Sequence, residues 1–176
     1  NPINPRYFGC QALVLCPTRE LADQVAKELR RLARAEDNIK ILTLCGGVSL
    51  GPQIASLEHG AHIIVGTPGR IQQHLSKGTL VLDGLNTLVL DEADRMLDMG
   101  FYDAIADIIG QTPKRRQTLL FSATYPAGIK QLSAAFMRDP QQVKVEALHA
   151  DNQIEQRFYE IDPEQRLEAV TRVLAH

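Results

Sequence analysis

Short apolar runs recur along the chain at intervals of about two dozen residues. They read "ALVLC" (Ala12 to Cys16), "IKILTLC" (Ile39 to Cys45), "HIIVG" (His62 to Gly66), "TLVL" (Thr87 to Leu90), "TLLF" (Thr118 to Phe121) and "VKVE" (Val143 to Glu146). Each is nearly all apolar rather than alternating, a pattern that predicts strands covered on both faces. Helical spacing fills the intervals. In "ELADQVAKELRRLAR" the residues Leu21, Val25, Leu29 and Leu32 form one stripe, leaving Lys27, Arg30, Arg31 and Arg34 to water. "FYDAIADIIG" and "AGIKQLSAAFM" repeat that spacing. Strands alternating with helices of this length predict right-handed crossovers and an α/β fold with a mostly parallel, doubly wound sheet.

In such a sheet, ligands gather beyond the carboxyl ends of the strands. The segments at those ends are "PTRE", "GGVS", "GTPGR", "DEAD" and "SAT". Glycine, hydroxyl, arginine and carboxylate therefore concentrate on one predicted edge. The remaining composition narrows the ligand classes. Hydrophobic residues make up 44% and charged residues 23%, with a formal charge of −2, so there is no global positive field. Nucleic acid would have to be held by local sites. Aromatic residues are 5% and none lies in these loops, which disfavours base stacking and favours sequence-independent backbone contact. No apolar run approaches the roughly 20 residues that span a bilayer, so no membrane partner is expected. Three cysteines without CxxC spacing argue against a disulfide framework or zinc ribbon and suit a cytoplasmic protein. His59 and His62 in "EHGAH" would share a metal only if a helix ran through Gly60; a turn before a strand is the better expectation.

Asp91, Glu92 and Asp94 crowd three carboxylates into four residues behind a buried strand. A carboxylate at such a tip is held rigidly and suits a hydrated Mg²⁺ that is otherwise bound by substrate phosphates. A neighbouring carboxylate can polarise an attacking water. Asp91 fits the metal role and Glu92 the base role. The competing reading, in which Asp91 or Asp94 caps a short helix beginning near Arg95, explains one acid and leaves Glu92 without a task. Ser122 and Thr124 could hydrogen-bond the acidic loop, although an ST-turn or an N-cap for the helix after Pro126 is the commoner use of that tripeptide. Thr18 with Arg19, and Thr67 with Arg70, stand where strand gives way to helix and backbone N–H groups point outward, a phosphate-binding arrangement. Gly46 and Gly47 allow close backbone approach. Each loop alone is routine helix-start chemistry; three on one edge suggest successive phosphates of a strand.

In this order the segments resemble the DEAD-box family of ATP-dependent RNA helicases: "PTRELA", the "GG" doublet, "TPGR", "DEAD" and "SAT". The wording around them is most similar to the bacterial DbpA-type branch. The resemblance implies a RecA-like, P-loop NTPase-type three-layer sandwich using ATP and Mg²⁺. It implies that Asp91 holds Mg²⁺ through water and Glu92 activates the hydrolytic water. Asp94, Ser122 and Thr124 would link nucleotide state to domain closure. Pro17, Thr18, Arg19, Gly46, Gly47, Thr67, Gly69 and Arg70 would line the RNA backbone. Its expected partner is RNA, with large-subunit ribosomal RNA and ribosome assembly implied by the branch; no obligate protein partner is inferred.

The chain departs from the family pattern: it shows neither the phosphate loop nor the adenine-reading glutamine segment expected upstream, and the second-domain motifs do not occur in it. No G-x-x-x-x-G-K-[ST] loop occurs in its 176 residues, which gives the expectation of an N-terminally truncated first domain (1–146) with an uncovered sheet edge and helix-packing surface. A linker (147–153) and the start of a second RecA-like domain (154–176) should follow, with a strand in "IEQRFYEID" and a helix opened by Pro163. The isolated chain is then expected to be inactive as an ATPase. Two other readings are a nucleotide-independent RNA-binding or regulatory module, and a Mg²⁺-dependent phosphohydrolase using the acids alone. The second leaves "PTRE", "GG" and "TPGR" unexplained.

Overall fold

The computed structural model describes residues 2–36, 38–145 and 157–175. The chain folds as two compact units, 1–140 and 141–176. The first is built on five parallel strands: β1 (Ala12–Leu15), β2 (Ile41–Leu44), β3 (Ile63–Gly66), β4 (Thr87–Leu90) and β5 (Gln117–Leu120), in the order β2-β3-β1-β4-β5. Ala12 stands opposite Ile63 and Thr87, Ile41 opposite Ile63, and Thr87 opposite Gln117. All five strands run the same way and in step. Every loop singled out by sequence therefore leaves the same, carboxyl-terminal edge.

Seven helices follow among the described residues: α1 (Arg19–Leu32), α2 (Gly51–Glu58), α3 (Pro68–Ser76), α4 (Ala93–Asp98), α5 (Tyr102–Gly110), α6 (Ala127–Phe136) and α7 (Arg166–Leu174). The first six flank the sheet in two layers, giving the expected three-layer α/β sandwich. Leu13, Leu15, Leu88 and Leu90 point to one face, where they meet Ile71 and Leu75 of α3, Met96 of α4, Ile105 and Ile108 of α5 and Ile129 and Leu132 of α6. Leu88 is wholly buried, so truncating it to Ala would cost about 2–5 kcal/mol. On the opposite face α1 covers Val14, Cys16, Ile41 and Val65. Its contact line is Ala22 and Ala26, with Leu21, Val25 and Leu29 half-buried at the sides and Leu32 exposed. The predicted leucine stripe thus lies off centre, because small residues let the helix axis approach the strands closely.

The two sheet edges differ. At β2, Arg30 of α1 donates to the Ile41 carbonyl (3.3 Å) and to Thr43 Oγ1 (3.1 Å), which occupies the edge with a charge. β5 has no such guard, and it is not the strand buried on both faces that "TLLF" suggested. Leu119 pairs in register with the half-buried Val89, and both Leu119 and Phe121 are exposed. Among the described residues no helix covers this stripe on the α1 face.

Three further expectations need correction. Helix α2 was not foreseen: the "GPQIASLE" segment opens with Pro at its first turn, where a missing N–H costs nothing. Residues 143–145 of "VKVE" form no strand, and Val143 and Val145 are exposed; Glu146 lies outside the described residues. In "IEQRFYEID", residues 154–156 lie outside the described residues, as does the expected linker, and 157–162 carry no strand. A β-rich run becomes a strand only where a neighbouring strand accepts its hydrogen bonds, and among the described residues neither run has one. The helix announced by Pro163 is present as a 3-10 turn, Pro163–Gln165, leading into α7. The turn at "EHGAH" is as expected: His59 ends α2, Gly60 adopts φ +74°, and His62 enters β3. His62 Nδ1 accepts from the Lys40 N–H at 2.9 Å, so its Nε2–H donates to the Pro5 carbonyl at 3.2 Å. That histidine is a core residue, not a metal ligand.

Candidate active site and RNA-facing edge

The acidic loop grows directly from β4. The Asp91 N–H donates to the Leu15 carbonyl of β1 (3.0 Å), and the Ala93 N–H donates to the Phe121 carbonyl beyond β5 (2.9 Å). Between these anchors Glu92 is forced into the left-handed region, φ 49° and ψ 53°, a conformation that is strained for a residue with a Cβ. Helix α4 therefore starts at Ala93, two residues before the position suggested by its sequence. Its N-cap, Glu92, makes no side-chain capping bond. Asp91 Oδ1 accepts from the Glu92 N–H (3.1 Å) and Asp94 Oδ1 from the Arg95 N–H (3.0 Å), each from the very next residue. Neither Asp91 nor Asp94 occupies the N-cap position; Asp94 does satisfy one first-turn N–H, that of Arg95, which accounts for one acid of the three.

Each acid has a different environment. Burial pushes the Asp91 carboxyl up; the Glu92 N–H opposes this and the Glu92 charge adds to it. Desolvation also raises Asp94, but the hydroxyl and N–H of Thr124, the Arg95 N–H and the Ser122 hydroxyl outweigh it and hold that carboxyl below its ordinary value. Asp94 Oδ2 accepts from Thr124 Oγ1 at 2.8 Å and from the Thr124 N–H at 3.0 Å. Ser122 Oγ donates to the Thr124 carbonyl at 2.7 Å. Thr124 grips the acid directly, while the Ser122 hydroxyl shapes the turn and also helps to lower the Asp94 carboxyl. Helix α6 takes no cap from either hydroxyl. Glu92 Oε2 rests 3.1 Å from Arg95 Nη1 in an exposed ion pair, a contact worth little energetically. Its carboxylate can leave that partner cheaply.

Asp91 offers a half-exposed hard-oxygen donor at a fixed strand tip. That fits one carboxylate of a Mg²⁺ site completed by waters and phosphates. Among the described residues no three His, Cys, Asp or Glu side chains converge on a common point; Asp91, with Glu92 beside it, is the carboxylate these residues could offer such an ion.

The other three loops stand beyond β1, β2 and β3 on the same edge. Thr18 caps α1 by accepting from the Leu21 N–H (3.3 Å), while Thr67 occupies the N-cap of α3 with no side-chain capping bond. Gly46, Gly47 and Gly69 are exposed, whereas Pro17 is buried and shapes its loop from beneath. Gly47 adopts φ +80°, and a Cβ there would lie 3.6 Å from Arg19 Nη1. Arg70 Nη2 donates to the Val48 carbonyl at 2.8 Å. Both guanidinium groups thus flank the glycine doublet. The Cys45 thiol reflects this: burial pushes it up and Asp23 adds to the rise, while the Thr67 N–H, Arg19 and Arg70 pull it down.

Gln53 and His74 join these groups, and neither was singled out by sequence. Gln53 sits in the unforeseen helix α2, and a lone histidine inside a helix carries no signature. Only their contacts across the fold disclose them.

A protein-family model described as DEAD/DEAH box helicase matches residues 3–132. The chain is 58% identical over 173 residues to the "ATP-dependent RNA helicase DbpA" of Escherichia coli (strain K12), covering 98% of the chain and 38% of that protein. It is 44% identical to the "DEAD-box ATP-dependent RNA helicase CshA" of Bacillus subtilis (strain 168), covering 98% of the chain and 35% of that protein. The chain therefore spans well under half the length of these relatives. Among solved structures, a DEAD box protein from the hyperthermophile Methanococcus jannaschii superimposes with a TM-score of 0.77 at 41% identity, over 99% of the chain and 46% of that structure. With its family motifs aligned on the carboxyl edge of a RecA-like sheet, the chain belongs to the DEAD/DEAH box helicase family.

Proposed function

We propose that the whole protein is an RNA-stimulated ATPase that separates short RNA duplexes locally by bending one strand. This chain would supply the water-activating half of its nucleotide site and its first RNA-backbone surface. The observation that carries the reading is the direct Asp94–Thr124 clasp. It ties the acidic loop after β4 to the loop after β5, on the same edge as the Thr18, Gly46–Gly47 and Thr67 loops. A change at the acids would thereby be felt in the loop after β5.

In this reading Asp91 orients the hydrated ion and Glu92 polarises the attacking water. Mg²⁺, when bound, would neutralise phosphate charge. Asp94, Ser122 and Thr124 transmit nucleotide state. Thr18, Arg19, Gly46, Gly47, Thr67, Gly69 and Arg70, with Pro17 beneath them, follow consecutive phosphates. Residues 154–176 would open a second RecA-like domain after a linker at 147–153. Similarity to DbpA of Escherichia coli motivates the further proposal of large-subunit ribosomal RNA, ribosome assembly and the cytoplasm.

Phosphoryl transfer is catalysed mainly by positioning and charge stabilisation, and these 176 residues contain no G-x-x-x-x-G-K-[ST] cradle. The chain by itself is therefore expected to release no phosphate from ATP, with or without RNA. RNA-stimulated release by the purified chain, abolished in Glu92→Gln, would overturn this division of the site.

A further inference from the structure

Arg70 is the one arginine on the RNA-facing edge whose guanidinium is fixed on two sides by neutral groups. Nη1 donates to Gln53 Oε1 at 2.8 Å and Nη2 to the Val48 carbonyl at 2.8 Å. Among the described residues no carboxylate pairs with it, whereas Arg19 lies 3.8 Å from Asp23. Gln53 is buried and its orientation is fixed. Its Nε2 donates to the Cys45 carbonyl at 3.1 Å, directly before the glycine doublet. Its Oε1 lies 2.9 Å from Nε2 of His74, which is wholly buried.

Gln53 Oε1 can only accept, so His74 Nε2 carries a proton and donates to it. On its other side the Thr79 hydroxyl lies 2.9 Å from His74 Nδ1 and 3.1 Å from the His74 carbonyl, and its one proton serves either acceptor; in neutral His74 it turns to Nδ1. Burial, reinforced by the Arg70 charge, lowers the His74 pKa and favours that neutral form. Gln53 Oε1 thus receives two N–H groups, from Arg70 and His74, which fills both of its lone pairs. Flipping the amide would turn donors against donors.

We propose that Gln53 and His74 are positioning residues for RNA. They lock Arg70 to the glycine loop through uncharged partners, so that the loop is held in shape while the full guanidinium charge remains available to a phosphate. A carboxylate at position 53 could still accept from Arg70, but it would lose the bond to the Cys45 carbonyl and would cancel that charge. The choice of an amide, supported by a neutral histidine, separates holding from neutralising. The inference rests on the reading that the Gly46–Gly47 and Thr67–Arg70 loops contact RNA.

The test is fluorescence anisotropy of a short oligouridine RNA with the chain, from about 50 to 200 mM salt at pH 8, where His74 is neutral. For the unaltered chain the slope of log affinity against log salt counts neutralised phosphates, at about 0.7 per phosphate for single strands. Gln53→Glu preserves size and both accepted bonds but gives up the donated bond to the Cys45 carbonyl, so the slope rather than the affinity reports the charge; its magnitude should fall by about 0.7. The substitution should also weaken binding about tenfold at the low-salt end, about 1.4 kcal/mol. His74→Leu should lower affinity without changing the slope, because the charge stays while its support is lost. His74→Gln, which can restore an N–H toward Gln53, should recover most of the affinity. A merely structural role would move melting temperature but not the salt slope.

If Arg70→Ala weakens binding while Gln53→Glu leaves both affinity and slope unchanged, the positioning role is wrong and the RNA surface stands. If the unaltered chain shows no salt-dependent binding, or Arg70→Ala has no effect, the RNA reading itself fails and the inference with it. Should Gln53→Glu fail to fold, the His74→Leu and His74→Gln pair decides: equal affinities for the two would overturn the proposal.

Discussion

The backbone of Glu92 provides a test of function that needs no substrate. At φ 49° and ψ 53°, a residue with a Cβ bears a steric cost of about 1–2 kcal/mol. Three hydrogen bonds enforce it: Glu92 N–H to Asp91 Oδ1 (3.1 Å), Ala93 N–H to the Phe121 carbonyl (2.9 Å) and Met96 N–H to the Glu92 carbonyl (3.1 Å). All three are made by backbone groups or by Asp91, so they survive any substitution of the Glu92 side chain. Glu92→Ala loses only the exposed pair with Arg95 and keeps the strain. Glu92→Gly relieves the strain but brings greater freedom to the unfolded chain, an offset of about 0.5–1 kcal/mol. The difference should leave the Gly variant more stable than the Ala variant by about 0.5–1 kcal/mol, or roughly 1–4 °C in Tm for a chain of this size. Urea or thermal denaturation of the two variants, compared with Glu92→Gln, measures it. A Gly variant no more stable than the Ala variant would show that the left-handed turn stores nothing. If Gly does gain, the wild-type glutamate is kept against stability. That outcome supports a task for its carboxylate and argues against capping or solubility as its purpose.

Two other outcomes follow from neighbouring contacts. Asp94→Asn and Thr124→Ala should be non-additive in a double-mutant cycle, with a coupling of about 0.5–3 kcal/mol in unfolding free energy, because both bonds end on Asp94 Oδ2; additive effects would dissolve the clasp. Since the Asp94 pKa is depressed in the folded state, its stabilisation is complete above the unfolded value, near 3.9. It is lost as pH falls through the folded value, so Asp94→Asn should flatten the acid limb of the stability profile. At the β5 edge, Leu119→Lys places a charge on an exposed apolar stripe and should reduce concentration-dependent self-association measured by light scattering. Association that persists unchanged would locate the sticky surface elsewhere.

How much of this was legible in the sequence depends on the range of the interaction involved. Runs such as "ALVLC" and "HIIVG" announced β1 and β3 because a strand buried on both faces must be apolar throughout. The same rule overreached at "TLLF", where β5 has a neighbour on one side only, and at "VKVE", where no neighbour exists among the described residues. Apolar composition states what a segment can bury; it does not supply the partner. Helix α1 was legible in extent, but its contact line was not. Ala22 and Ala26 lie closest to the sheet for lack of bulk, a property that a search for leucine stripes passes over.

The site divides in the same way. Asp91, Glu92, Asp94 and Thr124 could be named because their residue types and strand-end positions already limit what they can do. Gln53 and His74 could not. Their contribution comes from a meeting of two helices: Gln53 of α2 meets Arg70 and His74 of α3, 17 and 21 residues further along the chain. The groups expected to touch phosphate are local and legible, whereas the groups that hold them in place are distant and silent in sequence. An arginine named from a motif is therefore only part of a binding site. Whether its charge is offered to a ligand or consumed inside the fold is decided by what stands behind it, and here an amide stands where a carboxylate would have closed the site.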